Sequence, residues 1–201
     1  MNKLLKYGFL AGFLLISASL MSKDKDFTLS FGNVTAKTLN FEVSNAQNIS
    51  LLIYNDVDGE LFSEKTGVED HIAKSYDLAN LSTGTYYLVA ESDYKIEKYK
   101  ISISRNNTML VEKTPVTDIS KPQYNVSGNV VKLHMSGLKN GIQVSVSDFS
   151  DNVYYTSNKK SVDGEFDLTF NLNPNTSENY IISVEQNGNT FNKVISLRPS
   201  F

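Results

Sequence analysis

Apolar and polar residues alternate with period two along most of the chain, the signature of strands with one buried face. Phe27, Leu29 and Phe31 alternate with polar partners, as do Leu39, Phe41 and Val43. Ile49, Leu51 and Ile53 continue the pattern. Asp56-Val57-Asp58-Gly59 then supplies turn chemistry ahead of Glu60-Leu61-Phe62. The same pattern predicts strands at 76–78, 85–91, 94–103 and 109–111. Later in the chain it predicts strands at 124–126, 130–135, 142–146, 153–156, 166–172, 180–185 and 190–197, with Asn187-Gly188 as a type I′ hairpin turn. Helical periodicity is sustained nowhere.

The pattern repeats. Ile49-Ser50-Leu51-Leu52-Ile53-Tyr54, Leu61-Phe62, Tyr86-Tyr87-Leu88-Val89 and Lys100-Ile101-Ser102-Ile103 return as Ile142-Gln143-Val144-Ser145-Val146-Ser147, Val153-Tyr154, Tyr180-Ile181-Ile182-Ser183-Val184 and Val194-Ile195-Ser196-Leu197. The offset stays near ~93 residues, the length of one small β-sandwich. Two tandem immunoglobulin-like or fibronectin-III-like sandwiches are therefore expected, at 23–112 and 123–201. Pro115 and Pro122 mark 113–122 as a linker, because proline is excluded from central strands. Tyr86 follows Ser82-Thr83-Gly84-Thr85 and should enter the core, its hydroxyl reaching back to that turn as a tyrosine corner. Tyr180, after Leu172-Asn173-Pro174, is the counterpart with a longer turn. Alternation then leaves Tyr87 and Val89 on the outer face.

Residues 1–22 read as a signal peptide: Lys3 and Lys6, an apolar run, then small residues for cleavage. An uncleaved anchor is the alternative, against which the apolar run is short, since a span needs roughly 20 residues. No Cys follows the run, so lipid attachment there is excluded. The expected location is extracytoplasmic, periplasmic or secreted. The net charge of −3 falls further without the leader lysines, which argues against nucleic acid. The chain has no Cys at all, removing thiol nucleophiles and thiolate ligands.

The stretch Asp77-Leu78-Ala79-Asn80-Leu81-Ser82-Thr83-Gly84-Thr85-Tyr86-Tyr87-Leu88-Val89, with Lys98, Lys100 and Ile101 in the next strand, resembles the C-terminal sorting domains of Bacteroidetes type IX secretion. The likeness covers about residues 48–104 and implies an immunoglobulin-like sandwich in a secreted bacterial protein. The terminal copy departs from the motif, having Glu178-Asn179-Tyr180 in place of the Gly-x-Tyr step. A sorting role needs that copy, so the fold carries over and the sorting function does not. Type IX cargo stays as a second alternative.

Candidate chemistry is sparse. His71 and His134 are the only two histidines, one in each copy, whereas a catalytic zinc wants three protein ligands. Asp56, Asp58 and Glu60 form the best acidic cluster, but Tyr54 and Lys65 occupy the first and last positions an EF-hand loop would need. No nucleophile elbow or phosphate loop is present. No catalytic residue, metal site or cofactor is assigned, and the chain reads as a non-enzyme. Glycan binding is the alternative function; without Trp it would rest on Tyr87 and on Tyr154 or Tyr155. The leading expectation is a protein or cell-envelope partner, met by strand addition along 94–103. Tyr87, Val89, Tyr94, Lys95, Lys98, Tyr99 and Lys100 are the interaction candidates, the lysines doubling as guards of an open edge.

Overall fold

The computed structural model describes residues 26–33, 37–161 and 163–197. The expected signal peptide lies outside them. The described chain is all-β and divides into two units, the first ending at Lys121 and the second beginning at Pro122.

In the first unit, β1 (Thr28–Phe31), β2 (Thr38–Ser44) and β5 (His71–Asp77) form one antiparallel sheet in the order β1-β2-β5. The second sheet contains β3 (Ser50–Asn55), β4 (Gly59–Lys65), β6 (Gly84–Glu91), β7 (Lys95–Ile103) and β8 (Met109–Val111), in the order β4-β3-β6-β7-β8. The inward positions of both sheets meet in a single core that includes Leu39, Phe41, Leu51, Ile53, Leu88 and Ile101. Period-two alternation places each of them. Tyr86 is buried among them.

The segment expected to be a linker is not one. β9 (Thr117–Ser120) pairs with β7, Lys95 opposite Ser120 and Lys98 opposite Thr117. β8 pairs with the other end of β7, Ile101 opposite Val111. Pro115 falls between β8 and β9, and Pro122 just past β9. Proline is barred from a central strand, but Pro115 only interrupts this edge and Pro122 only follows it, positions that tolerate it.

The second unit repeats the plan. β10 (Gln123–Ser127), β11 (Val130–Met135) and β14 (Phe166–Asn171) make one sheet. β12 (Ile142–Ser147), β13 (Val153–Lys159), β15 (Asn179–Gln186) and β16 (Asn189–Ser196) make the other, in the order β13-β12-β15-β16. Each unit thus puts its first, second and fifth strands in one sheet and its fourth, third, sixth and seventh in the other. This is an immunoglobulin-like sandwich arrangement. A second core gathers Leu133, Met135, Val144, Ile182 and Val184. Asn187 and Gly188 both have positive φ, 50° and 78°, as the type I′ turn between β15 and β16 demands.

Both tyrosine corners are present. The Tyr86 hydroxyl donates to the Ser82 carbonyl at 2.9 Å, and the Tyr180 hydroxyl to the Asn173 carbonyl at 2.7 Å. Each tyrosine buries its ring and satisfies its hydroxyl on the turn that delivers it.

Candidate functional site

Along β7 the side chains split between two faces. Lys95, Glu97, Tyr99, Ile101 and Ile103 point inward, while Lys98 and Lys100 point out. Tyr99 is therefore not an interaction residue: it is 3% exposed, and its ring packs edge-on against Phe31 at 5.0 Å. Its hydroxyl donates to Glu97 Oε2 at 2.6 Å. Burial, and then this bond to a carboxylate, push the phenol well above its usual range. Lys95 joins the same interior group, its ammonium 2.8 Å from Glu97 Oε1 and 4.4 Å from the Phe27 ring centroid. Tyr94 stays exposed in the turn before β7.

Nor is β7 an edge. β6 covers one side, and β8 and β9 cover the other. Strand addition along 94–103 is thereby excluded. The lysines have other partners: Lys100 pairs with Glu112 at 3.0 Å, and Lys98 lies 3.9 Å from the Tyr87 centroid and 5.3 Å from that of Tyr54. Tyr54 and Tyr87 stack 5.3 Å apart on the outer face, beside Val89. The ring presented for sugar stacking is thus already occupied by a cation. Tyr154 and Tyr155 also fail as platforms. They meet Tyr180 and Phe170 edge-on, each at 5.4 Å, and pack on the second core.

One open edge of this sheet is made by β8 and β9, each paired only with β7; the other is β4, paired only with β3. A bulge at Ile53/Tyr54 shifts the register beneath it, and Leu61 and Phe62 at its centre are 38% and 37% exposed. β5, one edge of the opposing sheet, lies beside it. Phe62 and Tyr76 rings meet at 4.5 Å, and Glu64 of β4 accepts from the Tyr76 hydroxyl at 2.9 Å and pairs with Lys74 at 2.7 Å. Below this clasp a groove of about 300 Å³ opens, lined by Ile53, Leu61, Phe62, Tyr76, Leu78 and Leu81 among others. Its walls are largely apolar, with Ser75, Asp77 and Asn80 among them, and one rim is the β4 edge. The sequence shows Leu61-Phe62 as a short apolar pair; nothing in it shows that these residues stand at an edge.

The acidic turn after β3 is a structural device. Asn55 Oδ1 accepts from the Val57 amide at 3.0 Å and from that of Asp58, its Nδ2 donates to Asp58 Oδ2 at 2.9 Å, and Gly59 takes φ +75°. Asp148, one repeat later, does the same work as a carboxylate. It is 7% exposed and accepts from the amides of Ser150 and Asn152, from Asn152 Nδ2 and from the Tyr154 hydroxyl at 2.6 Å. The Tyr154 hydrogen bond, then those from Asn152, lower its pKa to about 2, and Tyr154 rises in turn to about 12. An aspartate depressed on folding adds stability above its unfolded pKa of about 3.9, lost as pH falls through its folded value. The stability gap between the wild type and Asp148→Asn should be constant above about pH 5 and shrink between about pH 4 and pH 2. Urea titrations across that range measure it.

His71 sits 3.9 Å from Glu42, and His134 pairs across the strands with Asp167 at 2.9 Å. The two histidines belong to different units. Among the described residues no three His, Cys, Asp or Glu side chains converge to hold a metal ion. No helix among them is long and apolar enough to cross a membrane.

No protein-family model matches the chain, and no curated protein matches it. Among solved structures it is similar to the BSP domain of a biofilm associated protein, at 13% identity and a TM-score of 0.25, over 86% of this chain and 30% of that one. It is also similar to the FN1–FN3 domains of chicken CNTN1, at 10% identity and a TM-score of 0.29, over 85% of this chain and 63% of that one. The chain therefore spans less than two thirds of either, and likeness at these scores carries nothing about ligand or partner.

Proposed function

We propose that the chain is a secreted, non-catalytic bacterial protein whose first sandwich captures an extended segment of a protein or cell-envelope partner along β4. One observation carries this reading: an edge strand with Leu61 and Phe62 exposed at its centre stands beside a largely apolar groove. A strand added to β4 extends the ladder, and its inward side chains fill the groove, which is how strand addition couples affinity to selectivity. Glu60, Glu64 and Lys65 frame the edge with charge, which restrains indiscriminate pairing. The leader-like N-terminus and the likeness to secreted sorting domains support an extracytoplasmic, periplasmic or released address.

The absence of Cys permits a clean test. Ser63→Cys, labelled with a thiol-linked photocrosslinker, should give discrete adducts in the producing cells. Adding Leu61→Asp and Phe62→Asp should remove them, while the same label at Asn192→Cys should give none of those bands. Adducts that survive the double aspartate would reject the β4 site.

A further inference from the structure

The two units build the same frame around the β4 groove and fill it differently. In the first, Ile53 faces Phe62 across β3 and β4, and the bulge that follows leaves Leu61 as the extra residue. In the second, Val146 faces Tyr155 across β12 and β13, and the corresponding bulge leaves Tyr154 in that place. Tyr76 of β5 lies opposite Leu39, and Phe170 of β14 opposite Val131. The Tyr76 ring meets Phe62 at 4.5 Å, as that of Phe170 meets Tyr155 at 5.4 Å. Leu78 and Leu172 follow alike, each amide donating at 2.8 Å to a carbonyl just ahead of the unit's second strand, Lys37 or Asn129. The bulge residue is where the units part. Tyr154 is half-buried and turns its ring onto the second core, meeting Tyr180 at 5.4 Å, while its hydroxyl donates to Asp148 at 2.6 Å. Leu61 has no ring to bring in, and Asn55, in the place of Asp148, uses its carboxamide within its own turn. Here the groove of about 300 Å³ opens, with Leu61, Phe62, Tyr76, Leu78 and Leu81 in its lining.

We infer that the groove of the first unit is a pocket for one aromatic side chain of the partner segment, seated where the second unit carries the ring of its own Tyr154. This rests on the strand addition along β4 proposed above, since the added strand supplies the ring. Residues opposite each other in an antiparallel pair share a face, so the residue that meets Leu61 across the new ladder has its side chain over the groove. Aromatic rings favour edge-to-face or offset contact, at centroid separations of about 4.5–7 Å. Phe62 and Tyr76 in the lining offer an incoming ring such contacts, as Tyr180 offers them to Tyr154. Ser75, Asp77 and Asn80, the polar members of the lining, accept a phenol hydroxyl, so tyrosine is accommodated as well as phenylalanine. An aliphatic side chain fills the space without the ring contacts. A charged one loses its hydration against Ile53, Leu78 and Leu81.

p-Cresol, the tyrosine side chain as a free molecule, is the probe, and 3-methylbutan-1-ol is the aliphatic control. Titrated into the methyl-labelled full chain, p-cresol should shift the methyl resonances of Leu61, Leu78 and Leu81 saturably, with a Kd on the order of 1 mM. It should bind at least about fivefold tighter than the alcohol. Leu61→Tyr with Asn55→Asp gives the first unit the second unit's ring and its acceptor, and should weaken p-cresol binding at least about tenfold. Leu88 and Ile101 methyls that keep their positions show that the first core stays folded in that variant. Leu81→Gln, half-buried at the groove, is the second variant and should also weaken binding. No saturable shift at these leucines, an alcohol that binds as tightly, or p-cresol binding that survives both variants would overturn the pocket. p-Cresol adds no strand, so missing Ser63→Cys adducts with p-cresol still bound would reject the strand along β4 and not the aromatic pocket.

Discussion

Tyr99→Pro should leave the first sandwich unfolded at room temperature. β7 is paired along both sides, so a proline there deletes a ladder donor in the interior of a sheet, where the residue is not accommodated. The buried ring is lost as well, which by itself removes about 3–5 kcal/mol from a domain whose whole stability is on the order of 5–15 kcal/mol. Tyr99→Phe separates the contributions. It keeps the ring against Phe31 and removes only the bond to Glu97, at roughly 1–3 kcal/mol. Hydrogen exchange provides the readout: amides of β6 and β8 should exchange freely in the proline variant and stay protected in the phenylalanine one. Protection that persists in Tyr99→Pro would mean that β7 is a dispensable edge after all.

Truncating the central strand of each core should be nearly as damaging. Leu88 and Ile182 occupy the same position in the two repeats, and both are 0% exposed. Leu88→Ala or Ile182→Ala removes buried methyl groups from a close-packed interior and leaves a cavity, at about 2–5 kcal/mol each. The expected result is a lower urea midpoint with an unchanged slope, and faster exchange in β3 and β6 for Leu88→Ala or in β12 and β15 for Ile182→Ala. Loss of less than about 1 kcal/mol at either site would show that the position is not central to its core.

How far the sequence carries is visible at particular residues. Alternation located β11 to the residue, and it assigned Tyr86 and Leu88 to the core and Tyr87 and Val89 to the outer face, because a half-buried strand leaves a period-two record. The tyrosine corners were legible for the same reason, with a turn signal ahead of each ring. β4 and β5 were only partly legible. As edge strands they bury little, Ile72 being the one fully buried side chain of β5, so the alternation that marks a strand fades. β9 was hidden by its flanking prolines, which look like a linker unless the partner strand is known.

By itself, the succession of residues determined the class, the duplication and the inward or outward sense of nearly every strand, since those depend on local period and on turn chemistry. Which strands are edges, and which outward residues stand side by side, was decided only by tertiary pairing. Register joins residues forty positions apart, and no local pattern encodes it. That is why the proposed strand addition falls on β4, whose outer side is unpaired, and not on β7, which is covered on both sides.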